Sequence, residues 1–313
     1  MAEKFDKYYR KIKYLIACLL SFKRPLYVTI WNPVISPKRY SNNIGDDLNV
    51  PLLELITGRF IWPVQWSFHS SHRECFSVIG SLIPWWINCN TIVWGSGIKE
   101  PDPIFYKKPR KVYAVRGPYT RDVLLRNGVT CPDIYGDPAI LMPLIYEPES
   151  KTKRYRYGII LHERDSEDIS LVEGLDRLGT RHSLIRIDIT SYVNWKDVID
   201  MIVSCDIIVS SSLHGLILSD AYRVPSVWAK FGYDFGTGYI KFWDYFETVG
   251  RKNEKLIEIR ELDGITELSA GKIESRINIE PLIKSCPFPN DLLKRYRLYM
   301  SKHAGRDVIY TLH

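Results

Sequence analysis

The residue best placed to do chemistry is His214. It follows Ser210, Ser211 and Ser212, where a β-branched run at Asp206–Val209 gives way to a helical pattern. A strand feeding the positive end of a helix is a ready anion site. An imidazole in the first turn of that helix can move a proton around neutral pH. The plainer alternative is a packed His donating one hydrogen bond. Arg116 closes another strand pattern and precedes Gly117 and Pro118. A guanidinium aimed along a strand's carboxyl end can clamp a carboxylate or phosphate bidentately, or it can simply pair with a nearby acid. Asp137, in Gly136-Asp137-Pro138, either orients a partner side chain or turns the chain. Asn43, Asp46 and Asn49 lie around a βα turn at Gly45, the kind of turn that borders ligand crevices in open α/β sheets. They face a ligand's hydroxyls, or Asp46 or Asp47 merely caps the next helix. His162 tops a further strand and faces either the cleft or solvent.

These residues need strands and helices to hold them. Strand patterns fall at Leu26–Trp31, Phe76–Ile83, Thr91–Trp94, Lys111–Val115, Tyr157–Leu161, Ser183–Ile189, Asp206–Val209 and Ser226–Ala229. Helical patterns follow several of them: Val50–Ile56, a helix opened by Pro118 and stopped by Gly128, Asn194–Ser204, the stretch after Ser212 that Pro225 ends, and Pro289–Met300. Alternation of strand and helix predicts an α/β protein with parallel sheets. The polar stretch Glu147–Arg156 reads as an interdomain linker. The predicted organisation is a basic segment at 1–25, a Rossmann-like domain at 26–148, a second at 149–285 and a C-terminal helix or tail at 286–313. Phe231–Thr237, rich in Gly and aromatics, reads as a mobile loop.

Composition narrows the partners. The 313 residues suit two domains, and 45% hydrophobic residues exclude a disordered chain. A net charge of +7 favours anionic small molecules, lipid head groups or nucleic acid. The basic residues are scattered, with no zinc spacing or stacking signature, which disfavours nucleic acid. Six cysteines without CxxC pairs fit a reducing cytoplasm, with Cys205 expected in the core at a helix end. The apolar run Tyr14–Phe22 is too short to span a bilayer, which takes about 20 residues. Met1–Arg24 reads as a helix on an anionic membrane surface or as an ordinary packed helix.

Taken in order, Asn43-Ile-Gly-Asp46, Arg116-Gly-Pro-Tyr-Thr120, Gly136-Asp-Pro138, Ser212-Leu-His214-Gly with Ser219-Asp-Ala221 and Val224-Pro225, and Lys241-Phe-Trp-Asp244-Tyr245 with Gly250 resemble the polysaccharide pyruvyl transferase family. The similarity is nearest to exopolysaccharide ketal-pyruvyl transferases. It implies a GT-B-like fold, two Rossmann-like domains facing a cleft. It also implies phosphoenolpyruvate as donor, a glycan or lipid-linked oligosaccharide as acceptor, and no metal or other cofactor. Many members carry Arg two positions before the His, where this chain has Ser212. Lys230, Lys241 or the helix amides are the candidates to replace that contact.

Ketal formation from phosphoenolpyruvate needs an acid/base near C2 and C3 and donors for a carboxylate and a phosphate. His214 suits the first role and Arg116 the anion clamp. The Ser211, Ser212 and Leu213 amides suit the phosphate. Asp46 and Asp137 suit acceptor hydroxyls or the orientation of Arg116. A nucleotide-sugar GT-B glycosyltransferase is the rival within enzymes, and a non-catalytic glycan-binding protein the rival outside them. A cytoplasmic enzyme, peripheral at the inner membrane face, fits the basic N-terminus.

Overall fold

The computed structural model describes residues 24–31, 43–64, 73–270 and 273–311. The expected N-terminal surface helix, Asn42 and the Pro- and Ser-containing loop before it lie outside the described residues. Two parallel five-stranded sheets carry the chain, as Rossmann-like domains do. The first has the order β2 (Ile61–Pro63), β1 (Leu26–Val28), β3 (Cys75–Ser77), β4 (Thr91–Trp94) and β5 (Lys111–Ala114). The second has β10 (Ile257–Glu258), β9 (Ser226–Lys230), β8 (Cys205–Ser210), β6 (Tyr155–Ile160) and β7 (Leu184–Arg186). β8, at the centre of its sheet, has five of its six residues buried. That explains its continuous apolar run rather than an alternation. Cys205 is buried as expected, but it opens β8 instead of closing a helix.

Helices cover the sheets. α1 (Ile44–Asp47) and α2 (Asn49–Thr57) follow β1, and α3 (Pro118–Arg126) follows β5. In the second half, α4 (Glu163–Ser166) and α5 (Ile169–Gly179) follow β6, and α6 (Trp195–Val203) leads into β8. α7 (Leu213–Ala221) leaves β8, and its nine residues are all buried. α8 (Ile240–Val249) comes after β9 and ends on Gly250 in the left-handed region. Its Phe242 stacks on Trp228 of β9, and Phe246 meets the same indole edge-on. Fully burying a Phe is worth about 1.5–3 kcal/mol, so this aromatic cluster alone fixes α8 against the sheet.

One hydrophobic cluster runs through both sheets, from Leu26 and Trp94 to Ile208, Phe242 and Tyr310. The segment joining the domains is part of it: Pro138–Leu144 forms a buried 3-10 turn against α7. The chain then returns. α9 (Glu280–Lys284) and α10 (Leu292–Lys302) lie beyond the second sheet in sequence, yet the Trp94 indole donates to Leu282 O at 3.0 Å. Phe288 packs on Phe76 and Trp94, and Tyr310 Oη donates to Ile140 O. Residues 277–285, expected with the second domain, therefore pack on the first. No helix among the described residues is long and apolar enough to cross a membrane.

Candidate active site

The carboxyl ends of both sheets meet at one junction, and the singled-out side chains gather there. His214 lies in the first turn of α7, directly after β8. Its ring presses on Gly45 in α1 of the other domain. A Cβ at Gly45 would sit 2.0 Å from His214 Nδ1, so only glycine leaves room for the imidazole. On the far side, His214 Nε2 stands 3.9 Å from Oδ2 of Asp137, too far for a direct hydrogen bond. Both atoms are buried, and neither has a hydrogen-bond partner in the protein. Asp137 spends its other oxygen on the Ala139 amide at 3.0 Å, which caps the 3-10 turn. Buried polar groups are normally paired, so two facing, partnerless atoms mark a place where a ligand group fits.

Burial drives these groups toward their uncharged forms. His214 is pushed down to about 3 by desolvation, with Arg116 and Lys241 adding to it. Asp137 is pushed up to about 7 by desolvation, against the pull of the Ala139 amide and Arg116. Asp46 is raised well above the carboxylate range by burial, then by Asp47, Glu163 and Asp137, while the Trp31 amide donates to it. Lys241, in α8, comes down to about 7 through burial and the nearby Lys99 and Arg116. Its ammonium lies 4.1 Å above the Phe235 ring. His162 is pressed to about 3 by desolvation and by Lys241, Lys99 and Arg164. It caps α4 through Nδ1 and stacks on Tyr233 with the rings 5° from parallel. Two imidazoles and a lysine are thus held short of protons by burial, with neighbouring cations adding to it. A bound anion would relieve that strain and raise all three.

Arg116 occupies a different position from a mouth-side clamp. Its side chain is fully buried. Nε bonds Asp244 Oδ2 at 3.2 Å, one terminal nitrogen bonds Ser81 Oγ at 2.6 Å, and the other bonds Ile98 O at 2.6 Å. Gly97 lacks the Cβ that would meet the guanidinium at 2.4 Å. Asp244, from α8, also accepts from the Thr120 amide at 2.9 Å and the Thr120 hydroxyl at 2.6 Å. Gly117, the cap residue of α3, has no side chain to satisfy that first turn, so a carboxylate from the other domain does it. The residue that orients Arg116 is therefore Asp244, not Asp46 or Asp137.

Well over half of the 313 residues, from 43 to 229, match the family described as polysaccharide pyruvyl transferase. The chain belongs to this family. An uncharacterized protein of Acanthamoeba polyphaga mimivirus is 29% identical over 194 residues, which is 59% of this chain and 63% of that one. The succinoglycan biosynthesis protein ExoV of Rhizobium meliloti (strain 1021) is 28% identical over 219 residues, 66% of this chain and 62% of ExoV. The chain thus spans less than two thirds of the length of these curated relatives. A functionally uncharacterized protein from Klebsiella pneumoniae subsp. pneumoniae NTUH-K2044 has a solved structure that covers 79% of this chain and 98% of its own, at a TM-score of 0.41 and 13% identity.

The family motifs now have places. Asn43 caps α1 through the Gly45 amide at 3.0 Å. Asn49 is buried between the Asp46 and Ile79 carbonyls and the Ile79 amide, so it ties α2 to the sheet rather than facing a ligand. Asp220 accepts from the Tyr245 hydroxyl and from Arg251. This pairs the Ser-Asp-Ala motif with the Lys-Phe-Trp-Asp-Tyr motif through structure alone. The serines are mostly spent internally. Ser211 N donates to Ile160 O, Ser212 N to Ser210 Oγ, and Ser211 Oγ to Asp165. Of the three amides expected to hold phosphate, only that of Leu213 starts α7 without such an internal bond. Ser212 is the cap residue of α7, yet its side chain makes no capping bond. Lys230 is engaged by Asp234 at 2.7 Å. Of the two lysines expected to substitute for the family's Arg, Lys241 is the one whose charge reaches His214. The Phe231–Thr237 stretch, expected to be mobile, is tied down by Tyr233 N donating to Asp165 and by Phe235 packing on His162 and Phe242. Lys99, Glu163 and Ser81 escaped the sequence reading. Lys99 alone had a local signal, since it follows the Gly95-Ser-Gly97 turn.

Proposed function

We propose that this chain moves the pyruvyl group of phosphoenolpyruvate onto a sugar of a polysaccharide or lipid-linked glycan as a ketal. The two domains then act as a GT-B-like pair around the junction. What carries the reading is the His214–Asp137 facing pair, contributed by opposite halves of a member of the pyruvyl transferase family, next to Lys241 and above buried Arg116.

In the reaction a proton goes to C3 and positive character develops at C2. One sugar hydroxyl adds to C2, and phosphate leaves with the electrons of its C–O bond. A neighbouring hydroxyl then closes the ring. One hydroxyl proton ends on C3 and the other on phosphate. Asp137, held near neutrality by burial, is suited to carry a proton, with His214 relaying it. Lys241, the α7 amide end and the field of Arg116 favour the donor's anionic groups, whose arrival raises His214 toward the range where it can act. Asp46, whose carboxyl burial raises well above the usual carboxylate range, suits an acceptor hydroxyl. A cytoplasmic site of action, peripheral to the membrane, goes with a lipid-linked acceptor.

The test is phosphate release from phosphoenolpyruvate in the presence of glycans, with the ketal methyl group followed by NMR, beside UDP- and GDP-sugars. Phosphate release matched by ketal, and reduced about 100- to 10,000-fold in His214→Ala, is the expected result. Consumption of a nucleotide sugar with phosphoenolpyruvate untouched would replace the reading with a glycosyltransferase. Glycan binding without turnover of any donor would replace it with a binding protein.

A further inference from the structure

Three tryptophans stand in solvent on one side of the first domain. Trp31 is 44% exposed, Trp85 51% and Trp86 37%. Single exposed apolar residues are ordinary, but large aromatics exposed side by side mark a binding surface. Trp31 and Trp86 are arranged as a unit. Their rings meet edge to face with centroids 5.1 Å apart and planes at 82°. One indole thereby props the other while both stay partly in solvent.

Position says what this face is for. Trp31 stands three residues beyond the end of β1, on the carboxyl side of the first sheet. Its backbone amide donates to the carboxyl group of Asp46. Asp46 adjoins Gly45, and Gly45 is the residue on which the His214 ring rests. The chain of contacts from Trp31 to His214 therefore runs through two residues. Trp86 is set by its own turn, where its amide donates to Leu82 O at 2.9 Å. A pyranose has one face of C–H groups and a rim of hydroxyls. The C–H face carries partial positive charge and apolar area, which match the negative face of an indole. The rim must then meet polar groups, and Asp46 is the buried carboxyl next to the platform.

We propose that Trp31 and Trp86 form the acceptor platform, on which the pyranose that receives the pyruvyl group stacks while a hydroxyl turns toward Asp46. This rests on the pyruvyl-transfer reading above and adds the acceptor subsite to it. The two rings fix the sugar's orientation and so decide which hydroxyls reach the reacting carbon.

The full chain is titrated with the methyl β-glycosides of galactose, glucose and mannose while tryptophan fluorescence is followed. The thermal shift with phosphoenolpyruvate is measured separately. Trp31→Ala and Trp86→Ala should each weaken glycoside binding, and raise the acceptor KM, by ten-fold or more. Both should keep the phosphoenolpyruvate shift of the wild type. Trp31→Phe and Trp86→Phe keep an aromatic face and should recover most of the loss. Acceptor KM and glycoside binding within two-fold of wild type in both alanine variants would overturn the platform. So would the absence of any glycoside response in the wild-type protein. If glycosides bind and the alanine variants lose them, but phosphoenolpyruvate neither binds nor turns over, the platform stands and the pyruvyl-transfer reading fails.

Discussion

Asp244→Ala tests the join between the two domains. The carboxylate and the Arg116 guanidinium it faces are both fully buried. Removing one member of a buried pair strands the other charge, at a cost of about 3–5 kcal/mol. The same oxygens cap α3 through the Thr120 amide and accept the Thr120 hydroxyl. Loss of a helix cap costs about 1 kcal/mol. These contacts share atoms, so they do not add in full, and the expected total is about 4–5 kcal/mol. For a chain of this size each kcal/mol moves the melting temperature by about 2 °C, so a drop of about 10 °C is expected. Asp244→Asn separates the two roles. It can still cap Thr120 but turns an amide N–H or a neutral oxygen toward Arg116, so it should lose most of the same stability. Thr120→Val, which exchanges only the hydroxyl for a methyl group and strands the Ile98 amide that the hydroxyl accepts from, should lose less, about 1–3 kcal/mol. Differential scanning calorimetry on the three variants reads this directly. An Asp244→Ala melting temperature within about 2 °C of wild type would refute the claim that this side chain neutralises Arg116 and caps α3.

Other expectations follow from the same geometry. Gly45→Ala should lower phosphate release about as far as His214→Ala, 100-fold or more, because its methyl group occupies the imidazole's place. Its melting temperature should fall, since overpacking a filled junction costs about 1–3 kcal/mol, more than the roughly 0.5–1 kcal/mol that alanine gains over glycine in a helix. Asp137→Asn should gain stability on wild type as pH rises. Burial pushes the folded-state pKa of Asp137 up to about 7 from the 3.8 of a free aspartate, so its contribution is whole below pH 3.8 and is lost as pH climbs through about 7. Urea midpoints from pH 4 to 8 should therefore show the variant pulling ahead across that window and then running parallel. His214 works the opposite way. Its pKa is pressed to about 3, so its contribution is present above pH 6.5 and is lost as pH falls toward 3. A His214→Gln variant should accordingly lose less stability than wild type between pH 6.5 and 3, a comparison that urea midpoints extended down to pH 3 provide.

Much of this architecture is legible in the residues. The buried run of β8 and the strand at Thr91–Trp94 stand where their hydrophobic patterns put them, because a parallel strand covered on both faces leaves an uninterrupted apolar signature. The edge strands β2 and β10 do not, since three and two residues carry too little pattern to separate from loop. α5 was missed although Leu171, Leu175 and Leu178 recur at helical spacing, with Gly174 and Gly179 interrupting the propensity. At the site, His214, Asp137, Lys241, Asp46 and His162 are strand-end or helix-end residues, and position alone suffices to suspect them. What local sequence cannot express is who answers whom. Arg116 looks like an open clamp until Asp244 arrives from 128 positions away. The serines before His214 look like phosphate donors until Ser210 and Ile160 take two of their amides.

The returning C-terminal segment has a consequence for how the protein is made. A ribosome emits the first sheet long before α9, yet the Trp94 indole waits for a carbonyl 188 residues downstream, and Ile140 for the hydroxyl of Tyr310, 170 residues on. Until then the face of the first sheet that receives Phe288 is uncovered apolar surface. The amino-terminal half therefore cannot mature as an independent unit during synthesis. It must be held open until nearly the whole chain has emerged, so nascent chains stalled before about residue 280 should be chaperone clients and protease-sensitive, while full-length chains are neither.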